Sequence, residues 1–184
     1  MKLILASSSP RRKELLSKLD YPFEIVPSNC EEKTTATIPV EVVQQLAKLK
    51  ACEVFQTHSD SVVIGCDTVV DFEGVIFGKP VDRKDAVRLL RALSGRTHFV
   101  HTGVCILSPT NEWLFCDTTE VQFRHVSEKE IKAYVDGGFA DGKAGAYGIQ
   151  DDSCFAASYV GDFDNVVGLP VYRVQEILDK IYKR

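Results

Sequence analysis

The stretch Leu5–Leu16, LASSSPRRKELL, sets three hydroxyls, a proline and two arginines at one turn, and that set suits an anion. With Ser9 as the N-cap and Pro10 as the first helical residue, where a missing N–H costs nothing, Arg11 and Arg12 fall in the first turn of a helix. Cations there oppose the positive end of the helix dipole, so a local preference is broken with no structural return. A phosphate group resolves the conflict: the hydroxyls of Ser7 and Ser9, the helix-start N–H groups and two guanidinium forks can converge on it. The competing reading makes the serines turn and cap residues and leaves the arginines solvated.

Other residues able to do chemistry stand at the ends of elements. Asp67 follows the apolar run SVVIGC and precedes Thr68, which places a carboxylate and a hydroxyl at the carboxyl end of a core strand, where open α/β sheets bind ligands. Such a carboxylate can hold a divalent metal or take a proton from water. Lys79, in GVIFGKP, lies at a strand-to-helix junction; three residues rather than four separate Gly74 from Gly78, and Pro80 stands where a phosphate loop needs Ser or Thr, so this is no Walker motif. Lys79 can still reach a phosphate as a point charge. Glu32 follows a strand end, and Lys50 shares a helix with Lys48; a solvated face explains both unless the fold brings them together. Gln150 closes the glycine-rich run DGKAGAYGIQ and can donate and accept at once, as reading the edge of a nucleobase requires. His98 and His101, three apart in a strand, point to opposite faces and cannot share an ion. With no GxSxG elbow, water is the attacking group.

The elements that must position these residues follow from hydrophobic spacing. KLILA (2–6) reads as a buried strand feeding a helix from Pro10 to about Leu19, Phe23–Val26 as a second strand, and Pro39 as the start of a long helix with Val42, Val43, Leu46, Leu49 and Val54 on one stripe. SVVIGC reads as a strand, TVVDFEGVIF as two short strands turning at Glu73-Gly74, and a helix capped by Asp82 ends near Gly95. Thr97–Leu107 and Trp113–Val126 read as an antiparallel pair. Ser127 and Glu130 form a capping box for a helix that stops at Gly137-Gly138, and a last helix follows Pro170. Mixed strands and helices, with no repeat and no linker, predict an α/β fold on one central sheet, a single domain over 1–184.

Composition bounds the function. In 184 residues, 22 Lys+Arg against 26 Asp+Glu leave a net charge of -4, which argues against a protein that coats nucleic acid and makes any anion site local. The leading apolar run is too short for a signal peptide or a membrane span, which predicts a cytoplasmic protein with no membrane partner. Six cysteines without a CxxC pair (Cys30, Cys52, Cys66, Cys105, Cys116, Cys154) read as reduced thiols, mostly buried.

Taken in order, SSSPRR, GCDTVV, GKP, SGRTH, KAGAYGIQ and VVGLP resemble the Maf family, the septum-formation-inhibitor-like nucleoside triphosphate pyrophosphatases, over Leu3 to Pro170. The resemblance implies two lobes on a long curved mixed sheet flanked by helices, with a nucleotide cleft between them. It implies cleavage of a nucleoside triphosphate between its α and β phosphates with Mg2+ or Mn2+, and it permits a homodimer. Asp67 falls on the family's proton acceptor, Arg12, Thr68 and Gln150 on positions tied to substrate selectivity, and Glu32, Lys50 and Lys79 on polar cleft positions. On this reading Arg11, Arg12, Lys50 and Lys79 bind the phosphates, and Glu32 and Asp67 hold the metal. AGAYGIQ is similar to the branch acting on dTTP and UTP. Two positions depart from the family pattern: Gly142 separates Asp141 from Lys143, and Asp151 stands where glycine is usual. The alternative is a non-catalytic nucleotide-binding regulator of cell division, or a phosphatase that removes phosphates singly.

Overall fold

Continuous apolar or alternating runs become strands, and the amphipathic stretches between them become helices. A computed structural model of the chain describes residues 1–152 and 155–183; Cys154 lies outside them. The strands are β1 (Leu3–Leu5), β2 (Phe23–Ile25), β3 (Val62–Phe72), β4 (Val75–Phe77), β5 (Thr97–Leu107), β6 (Glu112–Phe123) and β7 (Ala156–Val160). The helices are α1 (Pro10–Leu16), α2 (Pro39–Phe55), α3 (Arg83–Leu93), α4 (Glu128–Asp136), α5 (Phe163–Val167) and α6 (Val171–Tyr182), with a one-turn 3-10 helix at Ala144–Ala146. One seven-stranded sheet runs β2-β1-β3-β5-β6-β7, with β4 paired to β3. β1 is parallel to β2 and β3, whereas β4 on β3 and β7 on β6 are antiparallel, so the sheet is mixed and the α/β expectation holds.

The chain divides into two compact units. The first comprises Met1–Asp67, Thr102–Asp117 and the segment from Gly168 on; the second comprises Thr68–His101 and Thr118–Val167. In the first unit α2 lies on the sheet at two glycines. A Cβ on Gly65 of β3 would come 2.6 Å from the Ala51 N, and one on Gly103 of β5 would come 2.7 Å from the Gln44 N. This close seat makes Ala47 and Ala51 the centre of the buried face, with Val42, Val43, Leu46 and Val54 beside them. Leu49, expected on that face, is turned outward and is 39% exposed, and Lys50 takes an inward position instead.

In the second unit Leu89, Leu90 and Leu93 of α3 and Ile131, Tyr134 and Val135 of α4 join Val70, Val100, Val121 and Phe123 of the sheet in one core. Both helices start as their sequences predict. Asp82 Oδ1 accepts the Asp85 N–H at 2.7 Å, and the Ser127–Glu130 box is closed in both directions. Three differences from the sequence reading have physical causes. α1 ends at Leu16, because after Ser17 the chain continues in short turns that still bury Leu19. SVVIGC and TVVDF form one unbroken strand, β3, which turns into β4 through left-handed Glu73 and Gly74, so Asp67 sits mid-strand rather than at a strand end. β7 and α5, five residues each, are too short to show a period. Among the described residues no helix is long and apolar enough to cross a membrane.

Candidate active site

β1 delivers the serine cluster. Ser7 is buried where the strand ends, and its Oγ accepts the Ser9 N–H at 3.2 Å and Arg12 Nη1 at 3.4 Å. Ser9 is the N-cap of α1, with Pro10 next, as expected; its Oγ lies 3.5 Å from the Arg12 N–H. Arg12 Nε donates to the Gly168 carbonyl at 2.9 Å. Gly168, at φ 128, adopts a backbone conformation costly for any side chain, and so turns its carbonyl toward the guanidinium. The serines and the VVGLP glycine therefore hold Arg12 in place. α1 is only seven residues long, so its dipole is small, and the Arg11 and Arg12 side chains in its first turn are half-buried.

The second group forms across α2 and β3. Lys50 is 9% exposed and Asp67 is 8% exposed, and Lys50 Nζ donates to Asp67 Oδ1 at 2.6 Å. Glu32 Oε1 lies 3.1 Å from the same ammonium. A buried ammonium demands carboxylates and a mid-strand carboxylate demands a cation, so each explains why the other is tolerated there. Lys50 is thus no member of a solvated face, and Glu32 and Lys50 do converge on Asp67.

The two groups are close neighbours. β1 pairs with β3 so that Leu5 is opposite Ile64, and the Ala6 N–H donates to the Ile64 carbonyl at 2.8 Å, which sets Ser7 beside the Cys66-Asp67 step. Burial pushes the Cys66 thiol up to about 11, and the positive charges of Arg12 and Lys50 both pull against that rise. One thiol senses both cations, so they share a neighbourhood with Asp67.

Thr68, Lys79 and Gln150 belong to the second unit. Thr68 is half-buried in β3, Lys79 is exposed between β4 and α3, and Gln150 is exposed after the buried Ile149. The Gly78 carbonyl accepts the Gly145 N–H at 3.0 Å, tying the GKP turn to the glycine-rich run. Gly145 needs to be glycine, since a Cβ there would meet Val70 Cγ2 at 2.7 Å. Sequence reasoning missed Gly168, whose carbonyl role has no side-chain signal, and the partners of Asp151. Asp151 accepts from Lys143 Nζ at 2.5 Å and from the Tyr134 hydroxyl.

Glu32 and Asp67 reach one ammonium between them, so both carboxylates fall within range of a single cation. Two carboxylates are hard oxygen donors of the kind that Mg2+ or Mn2+ would take. No cluster of three or more His, Cys, Asp or Glu able to hold an ion exists among the described residues. His98 and His101 are engaged otherwise: His98 Nε2 pairs with the Tyr147 hydroxyl at 2.7 Å and His101 Nδ1 with Thr118 Oγ1 at 2.8 Å. Cys30, Cys52, Cys66 and Cys105 are free thiols, and burial pushes Cys105 up to about 12.

The model of the Maf-like protein family matches residues 2–181. This chain belongs to the Maf family. It is 44% identical over 98% of its length to a dTTP/UTP pyrophosphatase of Aquifex aeolicus, of which 96% is covered. It is 48% identical over 96% of its length to a dTTP/UTP pyrophosphatase of Bacillus velezensis, of which 95% is covered. Among solved structures, the Staphylococcus aureus Ham1 protein aligns at a TM-score of 0.48 and 14% identity, over 67% of this chain and 72% of that one.

Proposed function

We propose that the chain hydrolyses nucleoside triphosphates between the α and β phosphates, with dTTP and UTP as substrates, the activity named for both relatives. The observation that carries the reading is the buried Lys50–Asp67 pair with Glu32 beside it and Arg12 nearby. Cations there neutralise a polyphosphate and the charge developing on the leaving pyrophosphate, while an anchored carboxylate accepts a proton.

In the proposed reaction a water oxygen bonds to the α phosphorus as the bond from that phosphorus to the bridging oxygen breaks. The bridging oxygen keeps the electron pair and leaves with pyrophosphate. Asp67 takes the proton of the attacking water, its carboxylate anchored by Lys50. Arg11, Arg12, Lys50 and Lys79 bind the phosphates, Ser7 and Ser9 fix Arg12, and Thr68 and Gln150 select the nucleoside. Glu32 and Asp67 would hold a divalent cation, Mg2+ or Mn2+, which supplies charge neutralisation at the phosphates when bound. A cytoplasmic location, where nucleoside triphosphates are made and consumed, and a homodimeric assembly belong to the same reading.

The test is product analysis on a panel of triphosphates with Mg2+ or Mn2+. Pyrophosphate plus monophosphate is expected; orthophosphate plus diphosphate would identify a phosphatase, and binding without turnover a regulator. Asp67→Asn is expected to fold, because Lys50 keeps Glu32 at 3.1 Å, and to lose about a hundredfold or more in turnover. Unchanged turnover removes Asp67 from the mechanism.

A further inference from the structure

Gln150 is exposed, yet the chain on either side of it is tightly held. Ile149 is buried before it. After it, Asp151 donates its N–H to the Gly148 carbonyl at 3.2 Å, closing a short turn around Gln150. The Asp151 carboxylate fills the space beside Gly148, where a Cβ would lie 2.7 Å from Oδ1. Asp151 Oδ2 accepts from Lys143 Nζ at 2.5 Å and from the Tyr134 hydroxyl, and the Tyr134 oxygen accepts the Gly148 N–H at 3.0 Å. Lys143 and Asp151 side chains are each 13% exposed, and Tyr134 stands on α4 in the core of the second unit. The Tyr134 hydroxyl, donating to Asp151 and accepting from Gly148, therefore ties both ends of the turn that carries Gln150 to a packed helix.

We infer that Lys143, Tyr134 and Asp151 form a clamp that positions Gln150 and thereby sets which base is accepted. The inference rests on the reading of Gln150 as the base-contacting residue. Thymine and uracil present an N3–H donor beside the O4 acceptor, whereas cytosine presents an N3 acceptor beside an amino donor. A carboxamide has both a donor and an acceptor, so one that is free to turn over matches either edge. What the turn can fix is how far, and from which side, the carboxamide reaches the base, so a looser turn lets it meet both edges equally well. A desolvated ion pair adds little net stability, but once its hydrogen bonds are complete it permits a single arrangement of the loop. Tyr134, Lys143 and Asp151 are positioning residues; none of them has to touch the nucleotide.

The experiment measures kcat and KM for dTTP and CTP with the full chain carrying Asp151→Ala, Asp151→Asn, Tyr134→Phe or Gln150→Ala. Asp151→Ala is expected to lower the dTTP over CTP ratio of kcat/KM by about tenfold, through KM for dTTP, with kcat on dTTP within about threefold of the parent. Asp151→Asn keeps an acceptor for the Tyr134 hydroxyl and is expected to restore part of the ratio. Should Asp151→Ala fail to fold, Asp151→Asn and Tyr134→Phe decide the matter by the same ratio. Parallel losses on both nucleotides, or an unchanged ratio, in these variants while Gln150→Ala does shift it would overturn the clamp and leave the reading of Gln150 standing. An unchanged ratio in Gln150→Ala would overturn both.

Discussion

Lys50 and Asp67 are unequal partners. Lys50 has a second carboxylate at hand in Glu32, half of whose side chain is in solvent, whereas Asp67 lies mid-sheet with its ion pair to Lys50. Removing the aspartate charge leaves the ammonium compensated, but removing the ammonium strands a carboxylate in a strand that α2 covers. Breaking a buried pair from the wrong side costs about 3–5 kcal/mol, because the remaining charge has lost its solvent and its partner. Lys50→Met is therefore expected to lower stability in urea titrations by about 3 kcal/mol, and Lys50→Met combined with Asp67→Asn to recover most of that loss. Additive effects in the double variant would mean that the two side chains do not depend on each other. The pair is also where the sequence was least legible at this scale. LAKLKA reads as an ordinary solvated helix face, and nothing local reveals that a carboxylate seventeen residues later needs that ammonium. Arg12 was legible because cations in the first turn of a helix break a rule that can be stated from spacing alone.

At the scale of elements, the placement of Lys50 depends on how closely α2 approaches the sheet. Gly65 is two residues before Asp67 on the same face of β3, and its missing side chain lets Ala51, the neighbour of Lys50, come down onto the strand. Gly65→Ala forces a Cβ into backbone atoms of α2 and should cost about 1–3 kcal/mol of stability, the usual penalty of overpacking. It should also reduce turnover, since the same shift withdraws Lys50 from Asp67. Gly103→Ala strains the helix against Val43 and Gln44, about two turns from Lys50, and is expected to cost similar stability with less effect on turnover. Thermal unfolding and pyrophosphate release, measured on both variants, check the difference; equal kinetics in the two would detach Lys50 from the seat of α2. Elements whose ends carry local chemistry, the Asp82 cap and the Ser127 box, were readable from sequence. The unbroken run of β3 was not, because an aspartate inside a strand reads as a terminator until its distant cation is known. Leu49 was misplaced for the complementary reason: hydropathy favours leucine on the buried face, and the paired glycines favour alanine.

For the molecule as a whole, a net charge of -4 says little about a site whose cations are gathered locally, and it was the order of short motifs, not composition, that made the family legible. Departures from that pattern were visible in sequence, but their meaning was not: Lys143 and Asp151 turn out to be each other's partners. Composition and position do bear on stability through His98. It is 1% exposed, packed edge-on between Phe123 and Tyr147, and burial pushes its imidazole down to about 4 from an ordinary 6.5. The unfolded chain therefore binds this proton more readily than the folded one. Stability is fully present above the ordinary value and is lost as pH falls from about 6.5 toward 4, by about 2 kcal/mol between about pH 7 and about pH 5. Burial holds His101 low as well, which adds a loss of the same sign. Carboxylates such as Asp85 and Glu130, held below their ordinary range by hydrogen bonds and cations, lose their contribution only at more acid pH and leave this window to the histidines. Circular dichroism followed against pH should report this acid-sensitive unfolding midpoint. His98→Gln should flatten the pH dependence, and a slope left intact would assign the acid sensitivity to other groups.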